Sequence, residues 1–112
     1  MEMKSAVQAL NALSHESRLA AFRLLIQAGT AGLSVGELRE SLGIPPATLT
    51  AHLNVLRGAG MVEDQREGRV IRLRANFARM TGLLAFLTAN CCKDAGACDL
   101  VMVSPPRKTA SS

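Results

Sequence analysis

The sequence predicts a mainly α-helical (α+β) domain with about five helices and one β-hairpin. Apolar residues recur every three or four positions up to Leu56 and again after Asn76, which indicates helices. Two short extended runs flank Glu67 and Gly68, as in a hairpin. The 112 residues suffice for one domain, and the 3% aromatic content means that its core is aliphatic.

Apolar spacing predicts the first two helices. A stripe that includes Val7 and Leu10 predicts a helix over Lys4 to Leu13. The second helix is predicted over His15 to Ala28, with Ser14 as its N-cap. Its apolar residues cover more than one face, so we expect it to lie at the centre of the core.

The next two helices are predicted to form a helix-turn-helix. Ser34 and Glu37 match a capping box at the start of a helix that ends at Leu42. Gly43 and Ile44 then turn the chain directly into the next helix. Two short helices joined by a tight turn that contains glycine are typical of this DNA-binding motif.

The second helix of this motif lies within Pro45 to Gly60. Leu49, Leu53 and Leu56 form its apolar face. Small or forked polar groups and one alanine lie elsewhere on it, and bulky or acidic residues, which would block base edges or repel phosphate, are missing. The residues predicted to face the major groove are Thr48, Thr50, Ala51, His52 and Asn54. Ala51 leaves room for a thymine methyl group.

Arginines are concentrated in and around the predicted hairpin, which comprises Met61 to Arg66 and Arg69 to Arg74. Six arginines lie between Arg57 and Arg79 against three acidic residues, a local balance of +3. After a helix-turn-helix, such a hairpin has the form of a wing that contacts DNA. The arginines predicted to contact phosphate or the minor groove are Arg57, Arg66 and Arg69.

The last helix is predicted over Phe77 to Asn90, with Asn76 as its N-cap. Its apolar residues recur at alternating spacings of three and four, as at the interface of a coiled coil. We expect this helix and the first one to form a homodimer interface, although both could instead pack on their own domain. The predicted interface residues are Val7, Leu10, Phe77, Met80, Leu84 and Leu87.

The three cysteines of the chain fall within eight residues, as Cys91, Cys92 and Cys98. Three thiolates form a soft-ligand site, which suits the three-sulfur pyramid of trivalent arsenic or antimony. Asp94 or Asp99 could instead complete a zinc, cadmium or lead site. A regulatory disulfide is a further alternative, because vicinal thiols can be oxidised.

Composition narrows the class of protein. The net charge of +4 and pI of about 9.5 suit a polyanionic partner. The sequence has neither a membrane-spanning run nor a signal-peptide pattern, so we expect a cytoplasmic protein with reduced thiols. We divide it into a DNA-binding and dimerisation domain (1–92), a cysteine segment (91–102) and a disordered tail (103–112).

This layout resembles the ArsR/SmtB family of bacterial metalloregulatory repressors over roughly residues 5–92. Leu13 to Leu19 (LSHESRL) looks like the family's entry into its second helix. Leu49 to Val62 (LTAHLNVLRGAGMV) looks like its recognition helix, and Arg66 to Arg69 (REGR) like its wing tip. The resemblance implies a winged helix-turn-helix homodimer that leaves a two-fold operator when a metal or metalloid binds.

One departure from the family pattern concerns the effector site. Arsenic-responsive members often carry Cys-x-Cys-Asp-Leu before the recognition helix, where this chain has Ser34 to Leu38 (SVGEL) and no thiol. The cluster at Cys91, Cys92 and Cys98 resembles a relocated arsenic site of some members. The sequence therefore predicts a repressor of double-stranded operator DNA that is released by As(III) or Sb(III).

Other function classes fit the sequence less well. An enzyme such as a small thiol oxidoreductase would need a Cys-x-x-Cys motif, a Gly-rich nucleotide loop or a nucleophile–base pair, and the chain has none of these. We therefore expect no enzyme activity and no organic cofactor. A metal-buffering or protein-interaction module would not need the arginine-rich hairpin.

Overall fold

The computed structural model describes residues 1–90, which form five α-helices and three short antiparallel strands. The helices are α1 (Met3–Leu13), α2 (Glu16–Ala28), α3 (Val35–Leu42), α4 (Pro46–Gly58) and α5 (Phe77–Leu87). The strands are β1 (Leu33–Ser34), β2 (Val62–Glu67) and β3 (Val70–Ala75). This is the predicted winged helix-turn-helix. The predicted cysteine segment and tail lie outside the described residues, as does the very end of the predicted first domain.

Helix α2 lies at the centre of the core, as predicted, because it packs against α1, α3, α4 and β3. Phe22 and Leu25 from this helix are almost completely buried. The other large side chains of the core come from α3, α4, the connection between α4 and β2, and strand β3: Leu38, Leu49, Leu53, Leu56, Met61 and Leu73. No helix among residues 1–90 is long and apolar enough to cross a membrane.

Helix α1 is anchored to the domain by small residues. Ala6, Ala9 and Ala12 are buried, whereas Val7 and Leu10 are 49% and 42% exposed. Alanines allow close approach of α1 to the core and leave the larger apolar residues outside. This arrangement leaves Val7 and Leu10 of the predicted apolar stripe exposed, whereas Leu13 is half-buried and packs against the core.

Side chains cap three of the helices. The Ser34 hydroxyl accepts from Glu37 N–H, and the Glu37 carboxylate accepts from Ser34 N–H, which confirms the capping box. The latter bond, together with the Ser34 side chain and the nearby Arg72, lowers the pKa of Glu37. Asn76 caps α5 as predicted.

The predicted cap of α2 was wrong. His15 is the N-cap, and its Nδ1 accepts from Ser17 N–H at 3.1 Å. The Ser14 hydroxyl instead donates to the carbonyl of Asn11 at the end of α1. His15 takes this place because it, and not Ser14, is the extended residue immediately before Glu16, where the helix begins.

The wing contains one strand that the sequence did not predict. Strand β1 pairs with β3, which also pairs with β2, giving the sheet order β1-β3-β2. Gly32 permits this pairing, since a Cβ at that position would collide with the carbonyl oxygen of Leu73. The hairpin turn falls at Gly68 and Arg69, one residue later than expected.

Helix α5 is shorter than predicted. It ends at Leu87, where the sequence indicated Asn90, and the Thr88 hydroxyl donates to the carbonyl of Leu84 at 2.8 Å. Asn90 has a left-handed backbone (φ 61°), which is incompatible with a continuing helix. Leu83 is the one fully buried residue of α5.

Candidate nucleic-acid interface

Three leucines fix which face of α4 is presented to solvent. Leu49, Leu53 and Leu56 are at most 1% exposed and form part of the core. Gly43, with φ of +66°, ends α3 in the left-handed conformation and allows the tight turn into α4. The residues exposed on the outer side of α4 include Thr48, Thr50, Ala51 and Asn54. A helix held in this way exposes mainly small groups together with Val55, which is 43% exposed, and such a face suits the major groove.

His52 lies at the edge of this face and is half-buried. Its ring centroid is 4.4 Å from that of His15, and its Nδ1 is 3.4 Å from Arg18 Nη1. Partial burial, followed by the charges of His15 and Arg18, lowers the pKa of His52. The structure therefore places this predicted groove-facing residue in contact with α2.

Arg57 is engaged by its neighbours on the protein surface. Its Nε is 2.9 Å from Asp64 Oδ1 on β2, and its Nη1 donates to Asn54 Oδ1, also at 2.9 Å. The role of Asp64 could not be found from the sequence, in which this residue counts only as a negative charge in the hairpin. The two side chains meet because β2 begins at Val62, after a short connection from α4, and packs against that helix. Sequence spacing alone did not predict this packing.

The arginines of the wing fall into two groups. Arg72 donates to the carbonyls of Ala31 and Gly32, and so it ties β3 to the segment before β1. By contrast, Arg66 and Arg69 are exposed, and neither forms a salt bridge within residues 1–90. These two guanidinium groups are available to an anion near the tip of the hairpin.

The predicted dimer residues lie on two neighbouring helices, since α1 packs beside α5. On α5, Phe77 and Leu87 are 38% and 54% exposed, whereas Met80 and Leu84 are half-buried. With Val7 and Leu10 they provide exposed apolar surface from both helices. Met3, which is 66% exposed, extends this surface beyond the residues that the sequence predicted for it.

Within residues 1–90, no three His, Cys, Asp or Glu side chains are grouped so that they could hold a metal ion. All three cysteines lie between positions 91 and 98, outside the described residues. The predicted metal ligands Cys91, Cys92 and Cys98 therefore stay a prediction.

Comparisons with known proteins agree with this architecture. A family described as a helix-turn-helix domain matches residues 13–65. The biofilm growth-associated repressor of Xylella fastidiosa (strain 9a5c) is 36% identical over 86 residues, which are 76% of this chain and 73% of that protein. An ArsR-like transcriptional regulator from Rhodococcus sp. RHA1 is 29% identical, with a TM-score of 0.70 over 80% of this chain and 82% of that one.

The chain belongs to the ArsR/SmtB family. Its winged helix-turn-helix is thus that of a family of transcriptional regulators, as the resemblance implied. A third similar protein is reduced HlyU from Vibrio cholerae, which is 29% identical with a TM-score of 0.58. That match covers 77% of this chain and 90% of HlyU.

The contacts of His52 predict how stability depends on pH. Because its pKa is lowered in the folded state, the unfolded chain takes up a proton first as the pH falls below about 6.5. The free energy of unfolding should therefore decrease between about pH 7 and pH 5, and His52→Asn should reduce that decrease. Urea denaturation at several pH values in this range measures the slope of the free energy of unfolding against pH for the wild type and for His52→Asn. Equal slopes in the two proteins would contradict the prediction.

Proposed function

We propose that this chain is a cytoplasmic, dimeric repressor that binds double-stranded operator DNA. The observation that carries the proposal is the exposed face of α4, which is fixed by three buried leucines and followed by a wing with two exposed arginines near its tip. Bases would be contacted from α4, and phosphates or the minor groove from Arg66 and Arg69. The similar protein of Xylella fastidiosa, which is named a repressor, supports this assignment.

Dimerisation through α1 and α5 would give the complex its two-fold symmetry. The exposed Val7, Leu10, Phe77 and Leu87 support this interface, because burying such side chains against a second copy removes apolar surface from water. The two copies of α4 would then enter successive major grooves, about 34 Å apart. Half-sites of a two-fold operator would be spaced accordingly.

We propose trivalent arsenic or antimony as the effector, bound by Cys91, Cys92 and Cys98. These are the only thiols of the chain, and they follow closely after α5, one of the two proposed interface helices. Soft thiolate ligands favour a thiophilic ion of this kind. Since the ligands bind as thiolates, effector binding would release protons and weaken in acid.

Contacts between α1 and α4 offer a physical route from the dimer interface to the DNA-binding face. Gln8 on α1 donates to the carbonyl of Gly58 at the end of α4 at 3.2 Å. Arg18 Nε donates to the carbonyl of Ala12 on α1 at 2.7 Å, and its Nη1 lies beside His52 on α4. A shift of α1 would therefore be felt by α4, and coupling of this kind is typically about 1–3 kcal/mol.

A redox-sensing repressor is the second candidate. It is favoured by the similarity to HlyU, whose solved structure is named by its reduced state. Two of the same three thiols would then be oxidised to a disulfide by an oxidant such as peroxide, which is reduced to water, in place of binding an ion. The two candidates differ in the effector that releases DNA and share the DNA-binding mode.

Removal of the wing-tip arginines should weaken binding to all duplexes alike. For Arg66→Ala/Arg69→Ala, the slope of log K against log salt should decrease by about 0.9 for each phosphate that the protein no longer neutralises. Fluorescence anisotropy with a mixed-sequence duplex at several salt concentrations measures both the affinity and the slope of log K against log salt. Arg23→Ala is the matched control for each single variant, Arg66→Ala or Arg69→Ala, because it also removes one exposed arginine, from α2 and outside the proposed interface. Equal losses of affinity in the control and the single variants would overturn the role of the wing.

Arsenite or antimonite should release the protein from a duplex that it selects, and each of Cys91→Ser, Cys92→Ser and Cys98→Ser should abolish release. A three-sulfur site loses its ligand geometry when any one sulfur is removed. Ala97→Ser introduces the same residue into the same segment with all thiols intact, so it should respond normally.

The titration should include zinc, cadmium and peroxide, so that it separates the candidates. Release by peroxide with arsenite inert would contradict the metalloid site and establish the redox candidate. Release by zinc or cadmium alone would point instead to a site completed by Asp94 or Asp99. Survival of the arsenite response in Cys98→Ser would refute three-sulfur ligation.

A further inference from the structure

Asn54, Arg57 and Asp64 form a continuous hydrogen-bonded chain from the exposed face of α4 to strand β2. Asp64 Oδ1 accepts from Arg57 Nε, and Asn54 Oδ1 accepts from Arg57 Nη1, each at 2.9 Å. The Arg57 and Asp64 side chains are 30% and 43% exposed. An ion pair with this exposure adds little to stability, so its consequence is geometric.

This series of hydrogen bonds determines which way the Asn54 amide points. A guanidinium group has only N–H donors, so the Asn54 atom that meets Arg57 has to be the carbonyl oxygen. The amide nitrogen is left as the free end of an exposed side chain, and within residues 1–90 it donates no hydrogen bond. Asn54 therefore presents a donor to a ligand on this face.

We propose that Arg57 and Asp64 are positioning residues that make Asn54 a specific reader of guanine in the operator. This inference rests on the proposed function, since it concerns the same DNA-binding face. An unconstrained asparagine favours adenine, because its carbonyl accepts from N6 while its amide donates to N7. With the carbonyl held by Arg57, the NH2 group meets two adjacent acceptors on guanine, N7 and O6.

The acidic residue at position 64 has a clear role in this arrangement. Asp64 holds Arg57 against α4 and keeps that guanidinium from a nearby phosphate. If Asp64 is removed, Arg57 is released toward the DNA backbone and the Asn54 amide is free to rotate. The variant should then bind DNA more tightly and with less discrimination between guanine and adenine.

Selection from a randomised duplex library, read by sequencing, tests the proposal in the protein of residues 1–112. The wild type should select guanine over adenine by about tenfold at one position in each half-site. Asn54→Ala should remove that preference while the other positions keep theirs. Asp64→Ala should admit adenine there, and so should Arg57→Lys, since an ammonium group lacks the planar fork that spans both partners.

Glu63→Ala is the matched control. Glu63 precedes Asp64 on β2 and pairs with Arg74 at 3.6 Å, so its removal deletes one carboxylate from the same strand without touching Arg57. The guanine preference of Glu63→Ala should equal that of the wild type. Glu63→Ala and Asp64→Ala should both bind DNA more tightly than the wild type, because each removes one negative charge.

Two results would overturn the inference and leave the proposed function standing: an unchanged preference in Asn54→Ala, or the same preference in Asp64→Ala and Glu63→Ala. A wild-type protein that enriches no duplex at all would overturn the proposed function, and this inference with it.

Discussion

Burial of the three leucines of α4 is the interaction on which the rest of the structure depends. Leu49, Leu53 and Leu56 join Phe22 and Leu25 of α2 in one core cluster. Each fully buried leucine contributes about 1.5–3 kcal/mol, whereas an exposed ion pair contributes about 0–1 kcal/mol. Hydrophobic packing therefore sets the rotation of α4 about its axis, and the surface ion pairs adjust side chains around it. The exposed face of the helix is a consequence of what the opposite face buries.

The arginines after α3 differ in their contacts: some are bonded within the domain, and others are exposed to solvent. Arg72 stabilises the wing by bonding to backbone carbonyls, and Arg57 is held by Asn54 and Asp64. Arg66 and Arg69, at the end of the hairpin, face solvent. Within residues 1–90, these two exposed arginines near the wing tip form no salt bridge. In the DNA-binding mode that we propose, this separation would let α4 contact bases while the wing tip supplies phosphate attraction.

Local sequence patterns predicted the features that depend on local interactions. The leucine spacing of α4, the capping box at Ser34 and Glu37, and the Asn76 cap each follow from contacts within about one helical turn. Patterns failed where distant segments decide the outcome. Strand β1 has two residues, too few for alternation, and it exists because β3 supplies its partner.

In the predicted site, too, local spacing predicted some features, and contacts between distant segments decided the others. Exposure of Thr50 and Asn54 could be read from helical periodicity, because the buried leucines define the opposite face. The engagement of His52 by Arg18 and of Arg57 by Asp64 could not, since each joins separate elements. Sequence spacing gives the types of groups near a helix face, and tertiary packing decides which of them are already occupied.

Photocrosslinking from two exposed positions on different helices is the measurement that tests most directly whether the outer face of α4 contacts DNA. In a chain with Cys91, Cys92 and Cys98 changed to serine, a photocrosslinker is attached at Thr50→Cys or, as control, at the exposed Gln27→Cys on α2. Our account predicts strong crosslinking to a duplex from position 50, decreasing with salt, and little from position 27. Equal crosslinking from both positions, or more from position 27, would contradict it.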